Sequence, residues 1–240
     1  MLPDTIARRY TPVEIIHDGE TGTLYQAIDH VFLRDVSLFV VSREQSRGET
    51  FSREFAARVS QVANLSSPHI AKLYDWGCSD GTYYIVSEYV EGIDLDELVS
   101  TRGPMGEASA LRIGVQICRA LSVAHGAGVV HGSIRPNNIV VSRDAGATLI
   151  GFAKIHKEPA SEIETPAHRR NRPYRPPEQT CGGVPTEAGD LYSLASTLYK
   201  IMTGNVPFSA DEVRRMAAGE SGIAPKPLDE PRCIPNPPID

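Results

Sequence analysis

His131-Gly132-Ser133-Ile134-Arg135-Pro136-Asn137-Asn138-Ile139 is the stretch whose reading decides the fold of this chain. It is a polar loop set between apolar pairs, running from Val129 to Val141. Before it, Glu107 to Ala127 has helical spacing, which places Leu111, Val115, Cys118, Leu121 and Ala124 on one face. After it, Asp190 to Met202 is predicted to be helical, with Leu191, Leu194, Leu198 and Ile201 in one stripe. Gly204 stands where a glycine closes a helix.

The first hundred or so residues read differently. Short β-branched and aromatic runs predict strands at Pro12 to His17, Thr23 to Ile28, Val36 to Val41, His69 to Tyr74 and Tyr83 to Tyr89. Between them Phe51, Phe55, Val59 and Val62 recur at helical intervals. Strands with one helix, then mostly helices, imply an α+β protein of two lobes. The boundary falls near Val90 to Asp94, giving an N-lobe of residues 1–90 and a C-lobe of residues 91–240. From Ala224 onward prolines crowd a stretch without periodicity, which predicts loop.

The chain has 240 residues, 41% of them hydrophobic, enough for two lobes sharing an interface. A formal net charge of -6 provides no basic field for nucleic acid or anionic lipid. No apolar run approaches the roughly eighteen residues of a membrane span, so no membrane contact is expected within this chain. Met1 to Thr11 lacks the apolar centre of a signal peptide. Cys78, Cys118, Cys181 and Cys233 show no metal-ligand spacing and read as reduced thiols of a cytoplasmic protein.

Taken in register, several segments resemble the Hanks-type Ser/Thr protein kinases, in phrasing the bacterial ones. His131 to Ile139 looks like the catalytic loop, and Gly151-Phe152-Ala153 like the D-F-G segment that follows it. Tyr174-Arg175-Pro176-Pro177-Glu178-Gln179 looks like Y-x-A-P-E-Q. Gly189 to Leu194, then Thr203 to Phe208, resemble the long buried helix and its exit, and Tyr84 to Gly92 the hinge. The resemblance implies a bilobal protein-kinase-like fold. It also implies that the C-lobe is truncated, its last helices missing, because kinase domains continue beyond this length.

Phosphoryl transfer needs positioning and positive charge around phosphates more than covalent chemistry. Position by position, the family's charged groups are replaced. Phe39 stands at the strand lysine, in Arg34 to Val41. Arg58 stands at the glutamate that would orient it, with Glu54 a fallback if the helix has slipped. Ser133 replaces the catalytic-loop aspartate, Gly132 its arginine, and Gly151 the metal-binding aspartate. The glycine loop keeps Gly19 and Gly22, but Asp18 and Glu20 bring negative charge where phosphates would lie. Asn138 is retained; alone it is a poor magnesium ligand, and loop-tying hydrogen bonds suit it better. Phe39 is expected to fill the adenine or phosphate space, its burial contributing on the order of 2 kcal/mol. The packing skeleton is retained: Val62 and Leu73 match the upper spine positions, and His131, Phe152 and Asp190 the lower spine and its anchor. Asp190 is also placed to cap backbone N–H groups at its helix start.

The resulting expectation is a non-catalytic pseudokinase, taking neither ATP nor magnesium to any useful extent. It would act as a signalling scaffold or regulator on an active Ser/Thr kinase or a phosphopeptide-binding protein. The alternative is a nucleotide sensor or weak unconventional kinase, using a residual cleft of Gly19, Gly22, Glu88, Val90, Arg135 and Asn138, with Ser87 leaving room beside it. The segment from Gly151 to Glu178 adds Thr165 as a phosphosite for another kinase. Arg169, Arg170 and Arg172 there suit an acidic or phosphorylated partner.

Overall fold

The computed structural model describes residues 5–48, 50–142, 146–153, 170–225 and 227–228. The chain divides into two compact units. Of the described residues, the first holds 5–48, 50–66, 70–90 and 153, and the second holds 67–69, 91–142, 146–152 and 170 onward.

The first unit is one antiparallel sheet and one helix. Its strands are β1 (Tyr10–Gly19), β2 (Gly22–Asp29), β3 (Arg34–Val41), β4 (Leu73–Ser79) and β5 (Thr82–Glu88), in the order β1-β2-β3-β5-β4. Alternation along the strands sorts side chains between two faces. Val36 and Leu38 join Tyr10, Tyr25, Ala27, Tyr84 and Val86 in one apolar cluster. Phe39 and Val41 point the other way and share a small cavity with Ile85 and with Phe51 and Phe55 of α1 (Phe51–Val62). All four predicted apolar positions of α1 are buried.

The strand predicted at His69 begins later, at Leu73. His69 is engaged elsewhere: its Nδ1 lies 3.0 Å from the Ala147 carbonyl oxygen, and its own carbonyl accepts from the Leu149 N–H at 2.9 Å. Beyond it, β4 and β5 are joined through Asp80 and Gly81, both at positive φ of 51° and 75°. That left-handed pair suits a two-residue hairpin, and Asp-Gly favours it.

The second unit carries α2 (Leu95–Arg102), α3 (Glu107–Gly126), α4 (Pro177–Thr180), α5 (Glu187–Thr203) and α6 (Ala210–Ala217). It also holds a small sheet of β6 (Ile93–Asp94), β7 (Ile139–Ser142) and β8 (Gly146–Leu149). Asp94 caps α2 by accepting from the Asp96 and Glu97 N–H groups, and Ser209 forms a capping box with Glu212 on α6.

The predicted faces of α3 and α5 need correction. Leu111, Val115 and Cys118 are exposed, while Ala110, Ile113, Gly114, Ile117 and Ala120 are buried with Leu121 and Ala124. Gly114 stands on the buried face because it allows close approach: a Cβ added to it would lie 3.0 Å from Leu198 of α5. On α5, Leu191 is exposed, and the buried face mixes Leu194 and Ile201 with Gly189, Asp190, Ser193, Ser196 and Thr197. Gly204 closes this helix in the left-handed region, as its sequence position predicts.

No helix among the described residues is long and apolar enough to cross a membrane. Of the tail from Ala224, all but 224–225 and 227–228 lies outside the described residues.

Among its described residues the first unit carries a charged clasp. Arg9 donates to both oxygens of Asp29 at 2.8 Å each and reaches Asp75 at 3.3 Å, while the Tyr10 hydroxyl donates to Asp75 at 2.5 Å. The Arg9 hydrogen bonds, opposed by burial, hold the Asp29 carboxyl down to about 2. A depressed carboxylate stabilises the fold above its ordinary pKa of about 4, and that contribution is lost as pH falls toward the folded value. Arg9→Gln is therefore expected to be less stable than wild type at neutral pH. The gap should close as pH drops from about 4 to about 2, measured by urea unfolding across that range.

Candidate functional site

In the second unit the loop from His131 to Asn138 is organised by one carboxylate. Asp190 is buried on α5, where Thr186 rather than Asp190 caps the helix by accepting from the Gly189 N–H at 3.0 Å. The expected capping role of Asp190 is thus corrected. Its Oδ2 accepts from the His131 N–H at 2.8 Å and its Oδ1 from the Gly132 N–H at 2.8 Å. His125 Nε2, from the last turn of α3, lies 2.8 Å from the same carboxylate. The helix therefore holds the loop through its backbone, independently of the side chains at positions 132 and 133.

His131 passes that order on. Its Nδ1 accepts from the Ser133 N–H at 3.2 Å, so its Nε2 carries the proton and donates to the Ile150 carbonyl at 3.0 Å. The Phe152 ring stands edge-on to His131, with centroids 4.6 Å apart at 80°. Asn138 is buried; its Nδ2 donates to the Ser133 carbonyl at 2.7 Å, and its own carbonyl accepts from the Ile150 N–H at 2.9 Å. Gly132 and Gly151 have φ of 76° and 92°, a region that glycine enters without strain.

The first unit carries the other predicted residues. Phe39 is buried, and its ring lies under the glycine loop: a Cβ on Gly22 would fall 2.9 Å from the Phe39 ring and 2.2 Å from the Val40 carbonyl oxygen. Gly22, with φ of 146°, is thus required by close approach. The cavity beside Phe39 is lined by Thr21, Val41, Gln45, Phe51, Phe55 and Ile85, and holds about 10 Å³, room for about one water. Tyr83 extends this wall, its ring 5.0 Å from Phe51 and 5.1 Å from Phe55. Phe39 thus joins an aromatic packing between β3 and α1.

Arg58 is half-buried on α1, and Glu54 is exposed in its first turn. Val62 is buried at the end of α1, and Leu73 opens β4 opposite Ser87. Glu88 is tied down twice: its N–H donates to the Lys72 carbonyl at 2.8 Å, and its Oε2 accepts from the Lys72 N–H at 3.1 Å. Gly19 pairs with Gly22 at the hairpin end, and Asp18 accepts from the Thr23 hydroxyl at 2.6 Å. Val90 is half-buried. Thr165 and Arg169 lie outside the described residues.

Chemically, this donor set differs from that of a standard phosphoryl-transfer site. A serine hydroxyl at 133 is a poor proton acceptor at neutral pH. Gly151 offers no side-chain oxygen, and the Asn138 Nδ2 is engaged with the Ser133 carbonyl. No group of three or more His, Cys, Asp or Glu among the described residues is placed to hold a metal. The Asp190–His125 pair escaped sequence reading because nothing local links the two residues. The repeated aromatic residues at 51, 55 and 83 were the available signal for the packing around Phe39.

A family model described as protein kinase domain matches residues 10–225. The chain is similar to the serine/threonine-protein kinase PrkC of Bacillus subtilis, 31% identical over 218 residues, covering 90% of this chain and 34% of PrkC. It is similar to the serine/threonine-protein kinase PknB of Mycobacterium leprae, 32% identical over 215 residues, covering 87% of this chain and 35% of PknB. The chain thus spans about a third of the length of these relatives. Among solved structures, the kinase domain of Mycobacterium tuberculosis PknI superposes with a TM-score of 0.73 at 25% identity, covering 97% of this chain and 85% of that one. The bilobal protein kinase fold is shown by such superpositions.

These relationships correct two expectations drawn from the sequence. Relatives named as kinases point to an enzyme rather than an inactive domain, and to ATP and magnesium rather than no cofactor. The physical reason is that single side chains do not decide the matter. Positioning and backbone donors carry much of such catalysis, and catalytic groups act as a unit.

Phe39→Lys is expected to lower unfolding stability by about 3 kcal/mol, since it removes aromatic packing and buries a charge, whereas Phe39→Leu should cost less than about 1.5 kcal/mol. Asp190→Ala is expected to cost about 3–5 kcal/mol, because it strands two buried N–H groups. Denaturant titration of each variant checks both.

Proposed function

Starting from the fact that this chain belongs to the protein kinase domain family, we propose that it is a nucleotide-responsive regulatory domain: a slow, unconventional kinase that acts in signalling chiefly through protein contacts. The supporting observation is a contrast within the described residues. The backbone framework of Asp190, His131, Phe152 and Asn138 is fully assembled. By the sequence resemblance, Phe39, Ser133 and Gly151 stand where the family handles phosphate, proton and metal. A frame held by backbone hydrogen bonds keeps its shape when such side chains change, and a shaped surface is what a protein partner reads.

In this reading the nucleotide is held largely by main-chain groups, at the hairpin of Gly19 and Gly22 and along Glu88 to Val90. Such groups survive any side-chain replacement. The partner is an active Ser/Thr kinase or a protein that reads phosphorylated peptides. The domain works in the cytoplasm as part of a longer signalling protein, which suits its span of about a third of PrkC and PknB.

The test joins thermal unfolding with ATP, with and without magnesium, to a phosphoryl-transfer assay on a general protein substrate. Binding to the native state alone raises stability, by about 2.7 kcal/mol at a hundredfold excess over Kd. A saturable rise in midpoint is expected, with transfer far slower than the roughly 1–100 s⁻¹ of ordinary kinases. Restoring carboxylates with Ser133→Asp and Gly151→Asp together should raise that rate. No midpoint shift at millimolar ATP would remove the nucleotide part of the proposal. Transfer at ordinary kinase rates would remove the regulatory part.

A further inference from the structure

The core leaves part of the apolar surface of α3 and α5 in solvent. On α3, Leu111 and Val115 are each 52% exposed, and Cys118 is exposed with them. On α5, Leu191 is 53% exposed, Ala195 is exposed and Met202 is half-buried. The two stripes adjoin. Gly114 meets Leu198 where the helices touch, and residues three and four apart are neighbours on a helix surface. Leu111 and Cys118 flank Gly114 at those steps, as Ala195 and Met202 flank Leu198. His125, late in α3, meets Asp190, early in α5, so the helices run antiparallel. For right-handed helices in that arrangement, both stripes fall on the same side of the contact, and the buried residues of both helices on the other. Among the described residues this makes one apolar groove, open to water. On its α3 rim stand Arg112 and Arg119, seven residues or two turns apart, about 10 Å. Both are exposed, and neither has a hydrogen bond or ion pair among the described residues. Glu107 and Glu187 stand at the two ends of the groove, each in the first turn of its helix, where the dipole favours a carboxylate. Between Glu107 and His125, α3 has no acidic residue.

Single exposed apolar residues need no explanation, but a contiguous set across two helices marks an interaction surface. The groove between two helices takes the ridge of a third, and amphipathic helices dock this way through anchors at i, i+3, i+4 and i+7. A guanidinium on the rim matches a carboxylate. We propose that the α3–α5 groove docks an amphipathic helix of a partner protein. Its apolar anchors lie on Leu111, Val115, Cys118 and Leu191, and two of its carboxylates, seven residues apart, meet Arg112 and Arg119. A second copy of the chain fits less well, because an isologous contact sets the same arginine-bearing rim on both sides. An anionic lipid surface fits less well too, because the chain's net charge is -6. The groove gives a place to the protein contacts proposed above, and it shares no residue with the nucleotide site proposed there.

The probe is a synthetic helix of about sixteen residues, long enough to be helical when bound. It carries leucines along one face and two glutamates seven residues apart beside them; a control copy has lysines in place of the glutamates. Fluorescence anisotropy measures the binding of each to the whole chain. The acidic peptide should bind at least about tenfold more tightly than the lysine copy, and the preference should fade at high salt. Arg112→Glu combined with Arg119→Glu should reverse the preference, which general stickiness would not do. Val115→Asp should weaken both peptides by at least about tenfold. These substitutions replace exposed residues, so unfolding midpoints near that of wild type are expected and confirm that the variants fold. The effect of ATP on the midpoint should be equal in wild type and all variants, so failure of docking and failure of the nucleotide proposal are distinguishable. Equal binding of the two peptides would overturn the proposal, as would a preference that survives the charge reversal. Sedimentation showing a dimer that Val115→Asp dissociates would give the groove to a second copy and overturn it. Binding of phosphatidylserine vesicles that the charge reversal abolishes, with neither peptide bound, would do the same in favour of lipid.

Discussion

The second unit depends on one buried carboxylate. Asp190 accepts hydrogen bonds from two consecutive backbone N–H groups and meets the His125 ring, all at 2.8 Å. Hydrogen bonds to a charged acceptor contribute about 1.5–3 kcal/mol each, and leaving such a carboxylate unpaired would cost more. Because the bonds go to main-chain atoms, any residue at 132 able to take a positive φ can be held there, and glycine takes it most easily. From that anchor the order passes through His131 to Ile150 and Phe152, and through Asn138 to Ser133. A loop built this way keeps its path while the chemistry of its side chains drifts.

The first unit solves a different problem with apolar packing. Phe39 on β3 packs against the aromatic face of α1. This packing couples β3 to α1 and also to the hairpin, since Gly22 approaches the Phe39 ring closely. A larger residue at either position would push the other out of place.

Charge is handled differently in the two units. Arg9 in the first is matched by Asp29 and Asp75, so its cluster is closed and structural. In the second, burial together with the charge on Arg175 holds the Arg135 guanidinium below its usual pKa.

The sequence by itself determined the order of elements and the fold class. Those signals are local: alternation over a strand, the 3.6-residue repeat of a helix, and motifs a few residues long. The apolar positions of α1 were legible for that reason, because only one of its faces is apolar. On α3 and α5 apolar residues occur around most of the helix, so periodicity could not choose a face. Packing chose the face that carries Gly114, where the two helices approach closely. Only the tertiary structure decided that Asp190 serves the loop rather than its own helix end, and that His69 is claimed by β8. Each of these joins residues far apart in sequence, and no local pattern carries such a pairing: it arises when the elements pack and each buried polar group must find its partner.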